Sequence, residues 1–143
     1  MMPQVPTSRP KPPPPGEEEA GAELRLGEFE GVETLSLSEA WLVINALMAK
    51  RRNDQKNVNE TEVLTKTVDY LDAFARFKRK ENVEAVERLL ASHTELTKFE
   101  RAALGSLCPE GVEEAKTLIP SLTNKIGDDD LLELLEEMGK LQG

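Results

Sequence analysis

Twice along this chain a hydroxyl residue stands three positions ahead of a glutamate, at the head of an apolar run. The pairs are Ser36 with Glu39 and Thr97 with Glu100. In such a capping box each side chain bonds the other residue's free backbone N–H, so both places mark where a helix starts. After Ser36 come Leu37, Ala40, Trp41, Ile44, Leu47 and Met48, at the i, i+3, i+4, i+7 spacing of an amphipathic helix. That helix runs out in the polar stretch Lys50 to Asn59, whose Lys-Arg-Arg opening suits the negative end of a helix dipole. A second helix is expected from about Glu60 to Phe77, with Val63, Leu64, Thr67, Tyr70, Leu71, Phe74 and Phe77 on its apolar side. Asn82 can cap a third, carrying Val83, Val86, Leu89 and Leu90. The Thr97 box opens a fourth, through Phe99, Ala102, Ala103 and Leu107.

Pro109 suits the first turn of a fifth helix, where its missing N–H costs nothing. This helix carries Val112, Ala115, Leu118 and Ile119 and has to stop before Pro120, because a residue preceding proline is pushed out of the helical region. Asp128 is the expected cap of a sixth, with leucines at 131, 132, 134 and 135, then Met138 and Leu141. The fold class that follows is all-α, a compact domain of about six helices over 36–143.

Two segments precede it. Residues 1–23 hold Pro3, Pro6, Pro10 and the run Pro12 to Pro15, followed by Glu17 to Glu19. Proline removes backbone donors and favours extended chain, so this stretch reads as a disordered, solvated leader. Its PxxP spacings are the alternative, as ligands for an SH3 or WW partner. It has no apolar core of the kind a secretory signal needs, and it is too acidic for a transit peptide. Residues 24–35 form an extended arm: Leu24 and Leu26 alternate with Arg25, then Gly27 and Phe29 follow, as in a short strand closed by a turn. A lone strand among helices has to satisfy its edge. Either it packs on its own helices or it is donated to a partner's sheet.

Composition removes most chemistry. No stretch approaches the ~20 apolar residues of a bilayer span. With one cysteine, Cys108, and one histidine, His93, there is no intrachain disulfide and no usual zinc set. Neither GxGxxG nor a Walker A pattern occurs, and no EF-hand loop, so no cofactor is expected. His93 reads as a surface histidine with no nucleophile beside it, and Cys108 as a small buried apolar residue. The net charge of −9 opposes a primary role in gripping phosphates. The acids are concentrated at 17–30 and 128–143, while Lys50 to Arg101 carries a slight excess of bases. Arg76, Lys78, Arg79 and Lys80 cluster there and can touch a nucleic-acid backbone, although solvated helix ends explain them as well. Phe74 and Phe77 interleave with the cluster, at a helical spacing that favours core over stacking platform.

Taken in order, LRLGEFE (24–30), LSLSEAWLVI (35–44), KTVDYLDAFARFK (66–78), KFERAALGSLCPEGVEEAKTLIPSLTNKI (98–126) and DDDLLELLEEM (128–138) closely resemble the fourth-subunit family of eukaryotic DNA-directed RNA polymerase II. The resemblance covers 24 to about 141. It implies a non-catalytic subunit with an HRDC-like helical domain, a fold otherwise associated with nucleic-acid or nucleotide binding. It further implies a heterodimer with the seventh subunit, forming a stalk on the polymerase core near the RNA exit path. Roles in transcription initiation and nascent-RNA handling follow, the latter through the heterodimer. So does a nuclear location, with shuttling to the cytoplasm. Carried over by motif, Leu24, Leu26 and Phe29 belong to the arm that meets the seventh subunit, with Leu35 and Leu37 beside it. LIPSL is the family's most recognisable signature, and there Pro120 fixes a corner that leaves Leu118, Ile119 and Leu122 as interface or core. Some fungal members carry a long charged insertion where this chain has only the short Lys50–Asn59 linker, and the proline run has no counterpart in the family pattern.

Overall fold

The computed structural model of the chain describes residues 17–54 and 60–142. The proline run and its PxxP spacings, with most of the linker after residue 54, lie outside the described residues.

The arm begins with a minimal antiparallel hairpin. Strand β1 (Glu19–Ala20) pairs with β2 (Leu24–Arg25) in the register Glu19 to Arg25 and Ala20 to Leu24. The expected strand at 24–29 is therefore shorter. Its partner lies within this chain, in a segment that composition alone assigns to the leader. At Gly27 the backbone turns to φ +59°, where a Cβ would sit 3.1 Å from the Glu18 side chain, and a 3-10 turn over Gly27–Phe29 ends the strand. Phe29 thus sits on a turn, not in a strand.

Six helices follow among the described residues: α1 (Leu37–Asn53), α2 (Glu62–Phe74), α3 (Lys80–Ala91), α4 (Lys98–Leu107), α5 (Val112–Leu118) and α6 (Asp128–Lys140). Both capping boxes form. Glu39 N–H donates to Ser36 Oγ at 3.2 Å and Ser36 N–H to Glu39 Oε1 at 3.0 Å. Glu100 N–H donates to Thr97 Oγ1 at 3.1 Å and Thr97 N–H to Glu100 Oε1 at 2.8 Å. The Lys50–Arg52 triplet is the last turn of α1, so that helix reaches further than its apolar pattern.

Four boundaries differ from the sequence reading. Helix α2 stops at Phe74, because Ala75 turns extended and Phe77 enters the core from a loop. Ser38 Oγ accepts the Phe77 N–H at 3.0 Å and holds that loop against the start of α1. Helix α3 begins at Lys80, so Asn82 lies inside it and caps nothing. Pro109 precedes α5 by a turn: Gly111 is the N-cap. Gly127, not Asp128, flanks α6, and Asp128 to Asp130 form its acidic first turn. The stop before Pro120 holds, and Pro120 opens a 3-10 turn, Pro120–Leu122.

The core runs from Phe77 and Val83 through Leu104 and Leu122 to Leu131, Leu134 and Met138, all within the segment that includes α3 to α6. Leu42 of α1 packs on it from outside. Close approach of α1 to α4 depends on Gly105, where a Cβ would lie 3.3 Å from Ser36 Cβ and 3.4 Å from Leu90 Cδ1. No described helix is long and apolar enough to cross a membrane.

Candidate partner-binding site

The arm does not lie flat on the helices. Between it and the start of α4 is a groove of about 920 Å³, walled by Leu24, Leu26, Phe29 and Val32 on one side and Phe99 on the other. Three local devices position these walls. The hairpin sets Leu24 and Leu26, both half-buried; the 3-10 turn presents Phe29, 60% exposed; and the α4 capping box fixes Thr97 to Phe99. Thr34 Oγ1 donates to the Lys98 carbonyl at 2.9 Å, and Lys98 Nζ meets Glu33 Oε1 at 2.5 Å, so the end of the arm is tied to the first turn of α4. The hydrogen bond from Lys98 holds the Glu33 carboxyl below its usual range, with the lysine's charge adding to it. Glu18, Glu30 and Glu33 line this groove together with Lys98 and Arg101, so its apolar floor has a charged rim of both signs. An apolar floor with a polar rim is the anatomy of a protein-binding surface.

Of the other expected contact residues, Leu35 is exposed and Leu37 half-buried, both next to the groove in sequence but outside its lining. Leu37 N–H is satisfied by Ser106 Oγ at 3.0 Å, which seats α1 on α4. The Pro120 corner is divided. Ile119 and Leu122 are core residues, Pro120 is half-buried, and Leu118 is exposed. None of residues 118–122 lines the groove. Val32, Lys98 and Arg101 are lining residues that the sequence reading did not single out. Val32 carries no periodic signal, and the cations read simply as helix surface.

The basic cluster spans the loop between α2 and α3 and the first residue of α3. Arg76, Arg79 and Lys80 are exposed, and Lys80 Nζ lies 3.9 Å from Glu84 Oε1. Lys78 is engaged: its ammonium lies 5.0 Å from the centre of the Trp41 ring and donates to the Asp72 carbonyl. Trp41 Nε1 in turn donates to Asp72 Oδ1 at 2.6 Å. The two phenylalanines part company. Phe77 is buried, whereas Phe74 is 54% exposed and lies against Tyr70, ring centres 4.7 Å apart.

Neither the lone histidine nor the lone cysteine lines the groove. His93 is half-buried, with Nδ1 at 3.0 Å from Glu95 Oε1. Cys108 is buried, caps α4 in the left-handed region at φ 46° and donates its thiol to the Gly105 carbonyl. Burial pushes that thiol up to about 11, so it stays protonated and unreactive at neutral pH. No group of His, Cys, Asp and Glu among the described residues can hold a metal ion.

A buried carboxylate went unnoticed in the sequence beyond its capping role. Glu100 has no exposed surface, and its oxygens accept from Thr97 N–H, from Lys125 Nζ at 2.8 Å and from the Ser121 hydroxyl. Burial pushes its carboxyl up, but the bonds from Lys125, Ser121 and Thr97 together outweigh this and leave it below the usual value.

Residues 34–142 match the family described as RNA polymerase Rpb4. The chain is similar to DNA-directed RNA polymerase II subunit rpb4 of Schizosaccharomyces pombe, 47% identical over 127 residues, which is 87% of this chain and 93% of that one. It is 36% identical over 122 residues to DNA-directed RNA polymerase II subunit 4 of Arabidopsis thaliana, covering 82% of this chain and 88% of the relative. Against subunit RPB4 of Saccharomyces cerevisiae the identity is 47% over 89 residues, 62% of this chain and 40% of the longer relative.

Proposed function

The chain belongs to the RNA polymerase Rpb4 family, and from that premise we propose that it is a non-catalytic stalk subunit of DNA-directed RNA polymerase II that pairs with the seventh subunit. In this reading the pair docks on the polymerase core in the nucleus, supports transcription initiation and handles nascent RNA, with some of the protein shuttling to the cytoplasm. The observation that carries the pairing is the apolar groove beneath the arm, with Phe29 of its wall and Leu35 beside it left largely exposed. Large apolar side chains held open on an ordered turn are what a partner covers. Fully burying an exposed side chain of this size contributes ~1.5–3 kcal/mol before the cost of ordering, so Phe29 has more to gain than the half-buried Leu24 and Leu26. Leu37 supports the same face from the start of α1. At the Pro120 corner only Leu118 offers an exposed side chain, with Ile119 and Leu122 acting from beneath by shaping it.

Co-purification with the cognate seventh subunit, read by size-exclusion chromatography with light scattering, tests the reading. A stable one-to-one complex is the expected result. Phe29→Asp is the cleaner variant, since the side chain is already exposed and its loss leaves the core intact. Binding is expected to weaken strongly, and an unchanged affinity removes the arm from the interface.

A second reading is a stand-alone helical nucleic-acid-binding module. It is favoured by the exposed Arg76, Arg79 and Lys80 following directly on the open Tyr70–Phe74 ring pair, with Lys78 poised over Trp41. Stacking rings beside cations suit single-stranded nucleic acid, while the net charge of −9 works against tight binding by the chain alone. A salt series decides: phosphate contacts make affinity fall steeply with salt, and removing Arg76 and Arg79 then lowers the slope by about two.

A further inference from the structure

We propose that the Glu100–Lys125 ion pair is a latch that holds the N-terminal arm in place from the far side of α4. Glu100 sits at the third position of that helix with no exposed surface. Oε1 accepts both the Thr97 N–H and Lys125 Nζ, each at 2.8 Å, and Oε2 accepts the Ser121 hydroxyl. Lys125 is the one cation paired with this carboxylate among the described residues, and it belongs to the turn that follows Pro120–Leu122. The same turn of α4 carries the arm: the Lys98 carbonyl accepts from Thr34, Lys98 Nζ pairs with Glu33, and Thr97 and Lys98 wall the groove.

Without Lys125 the buried carboxylate has only neutral donors. A charge in that position either takes up a proton or swings out to water. Either response weakens or removes the acceptor that holds the Thr97 N–H and loosens the first turn. Thr97 and Lys98 then lose their fixed positions, and the Thr34 and Glu33 attachments go with them. The latch therefore acts on the arm without touching it. Glu100, Ser121 and Lys125 do not themselves line the groove of the proposed pairing surface, and the latch stands or falls without any partner present.

Residue-resolved amide exchange on the full chain tests it, comparing Lys125→Met, Lys125→Arg and Ser121→Ala with the unaltered protein. Lys125→Met is expected to accelerate exchange roughly tenfold or more both at Thr97 and Arg101 and, across the helix, at Val32 and Ser36. Lys125→Arg restores both sets, because the charge returns. Ser121→Ala removes a neutral bond and leaves the arm amides unchanged. A response at Thr97 and Arg101 that stops short of Val32 and Ser36 overturns the proposal, since the ion pair is then a local brace. So does an even rise that includes Leu104 and Leu134, which reports general loss of stability, and so does a Ser121→Ala effect on the arm as large as that of Lys125→Met.

Discussion

The segment from Phe77 to Met138 and the segment before it are built to different standards of closure. In the first, α3, α4, α5 and α6 bury a continuous set of leucines and valines, several with no exposed surface, such as Leu104, Leu122 and Leu131. In the second, α1 buries only Ser38 fully and α2 only Leu71, while Val43, Leu47, Val63, Tyr70 and Phe74 stay largely exposed. The arm before them leaves a groove of about 920 Å³ against α4. The later segment has apolar positions at helical spacing on helices that meet one another, so each stripe finds a facing stripe. In the earlier one α1 and α2 pack on each other, yet comparable apolar side chains stay uncovered by the described residues. The difference separates residues that hold the fold from residues free to meet something else.

Substitutions sharpen or break this comparison. The largest effect is expected at Leu104→Ala, which opens a cavity in the closed segment and lowers stability by ~2–5 kcal/mol in a urea titration; a loss no greater than that of an exposed α2 residue breaks the comparison. Next in size is the acid limb of stability. The Glu100 carboxyl is held below its usual value, so its contribution is complete above the ordinary carboxylate range and is lost as pH falls through the folded-state value. Glu100→Gln is expected to flatten stability against pH in that acid window and nowhere else, as thermal melts at stepped pH will show. Gly105→Val follows, pressing α1 away from α4 at about 1–3 kcal/mol, with Ser36 and Leu90 the residues that have to give. Ser36→Ala removes one cap of α1 for about 1 kcal/mol. The smallest is Val63→Ser on the open face of α2, within about 0.5 kcal/mol of no change. A large loss there shows that the face is covered in the free protein.

Much of the fold was legible because helix signals are local. Ser36–Glu39 and Thr97–Glu100 placed two helix starts correctly, and Pro120 placed a stop, since each acts through neighbours within a few residues. The errors arise where a distant contact overrides the local signal. Phe77 continues the α2 pattern, yet Ser38, far away in sequence, draws its backbone into a loop. Asn82 and Asp128 are good caps by type, but the chain enters both helices before them. The site was legible in part. Leu24, Leu26 and Phe29 were marked by an apolar stretch with nothing helical to serve, whereas Lys98, Arg101 and Val32 were not marked, since a groove exists only once the arm has met α4.

The amino-acid order alone thus determined an all-α fold class and the starts of α1 and α4. Those properties follow from backbone sterics, capping and residue inventory, which depend on near neighbours. Only the tertiary structure decided that Phe77 is core while Phe74 is surface, that β2 pairs with Glu19–Ala20, and that Glu100 is sealed against Lys125 and Ser121. Periodicity gives the direction in which a side chain leaves its helix, but burial depends on whether another element stands in that direction.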